Sequence, residues 1–225
     1  MSAGLLGMLA GTANASAFAN RFGQRFLQYG ACCNNAVIYG SRASINPHYV
    51  NPGSNYCTAF RTDGEGTLGS GYLIQAGVVK CGANANVDQT CSLSNNLIKY
   101  VETINPVHGA VCFPHGGTST GTAVDAKITT SSSNPATAYL DGTQEEGMGG
   151  LNAFYYIVEG AEHAGTDSCD SSNWGGTNEA NYAGSVAWQR QITDGSWFTI
   201  QGSSTSSGCW TVSGGPPGNF TISFG

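Results

Sequence analysis

Two stretches of this chain set a group able to take part in hydrolysis among apolar neighbours. Gly71-Tyr-Leu-Ile-Gln-Ala-Gly-Val-Val-Lys-Cys81 carries the amide of Gln75, and Leu97-Ile-Lys-Tyr-Val-Glu-Thr-Ile104 carries the carboxyl of Glu102. Both read as strands. Alternation puts Leu73, Gln75, Gly77 and Val79 on one face of the first, and Ile98, Tyr100, Glu102 and Ile104 on one face of the second. Burying such groups costs roughly 2–7 kcal/mol each unless they are hydrogen-bonded. They are therefore members of a satisfied inter-strand network or parts of a site. As a site, the carboxyl would act as general base and acid, with desolvation favouring its protonated form. The amide would donate to an oxyanion without ionising, and Gly77 would leave room for a substrate backbone.

The elements that must position these groups are short strands. Runs at 36–39, 42–45, 71–80, 97–104, 123–130, 136–140, 153–159, 185–192, 196–200, 209–212 and 219–224 are bounded by turn residues. Asp141-Gly142 and Asp194-Gly195 are hairpin signals. Phe18, Phe22, Phe26 and Leu27 recur at helical spacing and predict one short helix over Ala17–Tyr29. Gly/Ser-rich stretches at 116–122, 165–178 and 202–208 read as long loops. Many short strands with no linker or repeat predict an all-β, two-sheet antiparallel sandwich, one domain over 18–225.

Composition narrows the functional classes. Only 10 % of the 225 residues are charged, and the chain has 33 glycines. A net charge of −6 with eight Lys and Arg gives nothing to neutralise a run of phosphates, which excludes nucleic acid as a partner. No run approaches the roughly 18 apolar residues of a membrane-spanning helix. Eight cysteines, at 32, 33, 57, 81, 91, 112, 169 and 209, predict disulfides and an extracellular setting. Cys81 with Cys91 is the pair expected from the short loop between strands, and Cys32-Cys33 are expected to tether the N-terminal segment at two points. Residues 1–17 end in small residues, as a signal-peptide remnant or a retained N-terminal arm would.

Other constellations are weaker. Gly117-Thr-Ser-Thr-Gly121 lacks the strand–turn–helix context of a nucleophile elbow. His108, Cys112 and His115 fit no standard metal spacing, and the acidic run 159–170 lacks an EF-hand pattern, so no metal or cofactor is expected. Trp174, Tyr182, Trp188, Trp197 and Trp210 suggest sugar stacking, although Trp188 and Trp197 fall within strand patterns and read as core.

Leu73-Ile-Gln-Ala-Gly-Val-Val-Lys-Cys81 followed by Tyr100-Val-Glu-Thr-Ile-Asn-Pro106 resembles the core of the glutamic peptidases of the eqolisin type and of neprosin-like secreted proteins. The similarity spans about 36–160. It implies a concanavalin-like jelly roll, secretion, and acid-active cleavage of peptide bonds by direct water attack, with no covalent intermediate and no metal. Gln75 matches the catalytic Gln. Glu102 matches a family Glu of less central role. Glu159, in Asn152-Ala-Phe-Tyr-Tyr-Ile-Val-Glu159, stands for the second catalytic residue, with Glu162 and Glu179 as fallbacks; the family's Glu precedes a Trp, and here Phe-Tyr-Tyr intervenes. Two further functions stay open on the same sandwich: a carbohydrate- or surface-binding module, and an extracellular structural protein that self-associates through edge strands. The expected partner is thus a polypeptide substrate or a surface glycan.

Overall fold

Turn-bounded strands with one apolar face can bury that face only against a second sheet, and the chain does so. The computed structural model describes residues 21–26, 38–66, 71–85, 91, 95–131, 133–154, 156–164, 175–189, 197–199, 210–214 and 219–224. These residues form two antiparallel sheets and no helix. The six-stranded sheet runs β1 (Arg21–Phe26), β10 (Tyr156–Ala164), β3 (Cys57–Glu65), β4 (Leu73–Cys81), β5 (Ile98–Asn105) and β6 (Gly109–Gly117). The eight-stranded sheet runs β13 (Thr211–Gly214), β14 (Phe220–Phe224), β11 (Asn178–Gln189), β2 (Ile38–Tyr49), β7 (Val124–Thr129), β8 (Ala136–Leu140) and β9 (Thr143–Met148), with β12 (Phe198–Thr199) paired to β11.

The main core lies between the sheets. Phe60, Ile74, Ala76, Val78, Val101 and Ile157 meet Ile45, Ala126, Ile128, Leu140, Tyr182 and Ile222. In β7 and β8 buried and half-buried residues alternate, as in a sheet with one solvated face. In β3 and β4 nearly every residue is buried, so the outer face of the six-stranded sheet is covered too. A second apolar cluster on that face gathers Cys57, Ala59, Val79, Cys81, Cys91, Ile98, Tyr100 and Cys112, with Ala85 against it.

Three sequence expectations change. Cys81 bonds Cys57 rather than Cys91, and Cys91 bonds Cys112. The reason is register: Cys57 and Cys81 face each other across β3 and β4, which loop length alone does not reveal. Cys32, Cys33, Cys169 and Cys209 lie outside the described residues. In the stretch expected to be helical, Arg21–Phe26 is a strand paired with β10, while 17–20 and 27–29 lie outside the described residues. A phenylalanine spacing of four satisfies a period of two as well as 3.6, and the free edge of β10 selects the strand. Lastly, β3, β6 and β9 were not expected, because each mixes charge, glycine or proline into its run. The Asp141-Gly142 turn forms as expected between β8 and β9, with φ of 52° and 82°.

Candidate active site

Gln75 of β4 and Glu102 of β5 are cross-strand partners, and Gln75 Nε2 donates to Glu102 Oε2. Both side chains are fully buried. Ile74, Ala76 and Val101 point into the sandwich, so Gln75 and Glu102, one residue out of phase, occupy the outer face of the six-stranded sheet. Asp63 of β3 is the other neighbour of Gln75, giving a row Asp63–Gln75–Glu102 across three strands. The next row on the same face is Arg61–Gly77–Tyr100.

Arg61 binds the two rows into one cluster. Its Nη1 lies 2.6 Å from Asp63 Oδ2, and its Nη2 donates to Glu162 Oε1 of β10, all enclosed. Burial works against the Arg61 charge, but Asp63 and Glu162 outweigh it and hold the guanidinium well above its ordinary pKa. Tyr100 is pushed well above its ordinary value, first by burial and then by Glu162. Its hydroxyl therefore stays protonated, a neutral donor beside Glu102. Among the described residues, Gln75 Oε1 and the Tyr100 hydroxyl find no hydrogen-bond partner. The arrangement offers a carboxyl, an amide donor and a phenol donor at one place, the parts needed to activate a water and stabilise an oxyanion.

Glu159 is on the other face of the same sheet. It shares a face with Ile157 and Ala161 of the core, and its Oε1 accepts from Ser41 Oγ of the opposite sheet at 3.4 Å. Ser41 Oγ is also 2.7 Å from Thr62 Oγ1, so this polar knot ties the sheets together inside the sandwich. The structure thus brings Gln75 and Glu102 together and sets Glu159 apart from both. Of the fallbacks, Glu162 joins the cluster and Glu179 lies beside His48, at 3.2 Å. The room expected beside Gly77 is taken by β3: a Cβ there would collide with the Phe60 carbonyl and approach Arg61 Cα to 2.8 Å.

Arg61 and Asp63 escaped the sequence reading because Cys57-Thr-Ala-Phe-Arg-Thr-Asp-Gly-Glu65 looks like a polar loop. No hydrophobic alternation marks the strand, because Thr58, Phe60 and Thr62 face inward and Ala59, Arg61 and Asp63 outward, a mix of polar and apolar residues on both faces. His108 lies in the turn before β6 and His115 within β6; Cys112 is in a disulfide, and His115 pairs with Glu145 at 2.9 Å. Among the described residues no group of His, Cys, Asp and Glu is arranged to hold a metal ion.

No protein-family model matches the chain, and no curated protein matches it in sequence. Solved structures do. A Scytalido-glutamic peptidase bound to a peptide-based transition state analogue superposes with a TM-score of 0.52 at 12 % identity, covering 92 % of this chain and 99 % of that one. The eqolisin-family peptidase SCP-B, in complex with the tripeptide Ala-Ile-His, gives 0.51 at 10 % identity over the same shares. The chain has the double-sheet fold of the glutamic peptidases.

Proposed function

We propose that the chain is a secreted endopeptidase of glutamic type in which Gln75 and Glu102 form the reacting pair. The observation that carries this reading is their hydrogen-bonded cross-strand pairing on one face of a glutamic-peptidase fold. Ionised Glu102 takes a proton from a water as its oxygen adds to the scissile carbonyl. Gln75 Nε2 then turns from Glu102 to the oxyanion, and Glu102 returns the proton to the leaving amine as the C–N bond breaks. Tyr100, held neutral, supplies a second donor. The substrate class is a polypeptide, by likeness to relatives solved with peptide ligands. Two disulfides suit an oxidising, extracellular setting.

The pair is enclosed, so turnover requires the outer face to open. Activity at acid pH is the expectation that the resemblance to the glutamic peptidases carries. The test is cleavage of a denatured protein from pH 2 to 7 by the wild type, Gln75→Ala and Glu102→Gln. Cleavage by the wild type alone, insensitive to chelators, supports the reading. Absence of cleavage by folded protein at every pH assigns the cluster a structural role, fixing strand register.

A further inference from the structure

A trough runs over the outer face of the eight-stranded sheet, on the opposite side of the molecule from Gln75 and Glu102. In β2, Ala43 and Ile45 point inward, so Gly40, Arg42, Ser44 and Asn46 line up outward. Two cavities of about 520 and 510 Å³ lie along this row and share Ser44 and Ala183, which makes them continuous. From Gly40 to Asn46 the row is about 20 Å long at the rise of a strand.

The walls are neutral and polar. Asn46, Asn181 and Asn219 bring amides, and Ser44, Ser213 and Thr221 bring hydroxyls. The charges in the trough, Arg42 and Asp125, neutralise each other in a two-pronged pair at 2.7 and 2.8 Å. Asn46 Oδ1, sunk in the floor, has no hydrogen-bond partner among the described residues. At one end lies the indole of Trp197. A Cβ at position 40 would come within 2.6 Å of that ring, so glycine is what lets the ring lie on the sheet. Trp197 stays partly exposed and lines the trough, where a sequence reading puts it in the core.

An aromatic plate followed by a row of uncharged donors and acceptors matches a chain of sugar rings, which present an apolar C–H face and many hydroxyls. A peptide would seek a sheet edge for backbone pairing, and β2 is an interior strand between β11 and β7. A nucleic acid would need several unpaired cations, and among the described lining residues the cation is Arg42, already paired with Asp125. We infer that the outer face of the eight-stranded sheet is a binding site for a neutral oligosaccharide. It would hold the protein on a glycan surface independently of what the Gln75 face does.

The test is calorimetric titration of the full chain with cellohexaose, xylohexaose and chitohexaose, repeated with Trp197→Ala and Asn46→Ala. Binding of at least one hexasaccharide with Kd below about 1 mM is expected. Trp197→Ala should weaken it about tenfold, through loss of stacking and buried area. Asn46→Ala should weaken it about threefold to tenfold, the effect of one hydrogen bond. Melting curves establish that each variant folds; if Trp197→Ala does not, Asn46→Ala decides. Absence of binding to all three sugars, affinity unchanged in the folded variants, or displacement of the sugar by a denatured polypeptide would each overturn the assignment.

Discussion

Gln75 and Glu159 project from opposite faces of the same sheet, Gln75 toward the outer cluster and Glu159 toward Ser41 inside the sandwich. A chemical step that used both would have to act through the sheet. The contrast gives a direct test. In a peptidase assay, Glu102→Gln is expected to lower kcat by at least about a hundredfold, the scale of losing a main catalytic group. Glu159→Gln keeps an acceptor for Ser41 and should leave kcat within a few fold. The reverse ranking would return the base role to Glu159.

Arg61 holds the outer cluster by compensating Asp63 and Glu162 where no water reaches. Removing one partner from a buried ion pair leaves uncompensated charge and typically costs about 3–5 kcal/mol. Arg61→Met should therefore lower the denaturant midpoint strongly at pH 7.

Tyr100 and Tyr182 both have folded-state pKa values well above the ordinary 10.0, with burial as the largest cause. The sign follows from linkage. Below pH 10 both states hold the phenolic protons and nothing is lost. Above it the unfolded chain releases them first, so stability falls as pH rises, by up to about 1.4 kcal/mol per pH unit for each phenol. Thermal melts from pH 9 to 11.5 should show this decline, and Tyr100→Phe should flatten it by about half.

The Cys91–Cys112 disulfide fastens the β4–β5 connection onto the face that carries Glu102, since Cys112 is the cross-strand neighbour of Glu102. It closes 21 residues of chain, and Cys57–Cys81 closes 24. On chain-entropy grounds each contributes about 3 kcal/mol. Cys91→Ala/Cys112→Ala should lower stability by that order in urea titration. It should also raise hydrogen exchange in β5 and β6 above that in β7 and β8, which the bond does not touch.

The alternating strands β7, β8 and β14 and the Asp141-Gly142 turn were legible in the sequence because one solvated face writes a period of two and a φ above zero asks for Asp or Gly. That pattern, with Gln75 and Glu102 each set among apolar residues, was enough to mark a sandwich and two candidate groups. Tertiary structure decided the rest. Buried on both faces, β3 shows no hydrophobic alternation, and only ion pairing with Glu162, more than a hundred residues later in the chain, makes Arg61 and Asp63 members of a covered sheet. Sheet order placed β3 between β10 and β4, and so set Cys57 opposite Cys81. The phase of β10 sent Glu159 inward and Glu162 outward. Phase within a strand is local, but which face becomes core depends on what the other sheet brings to it.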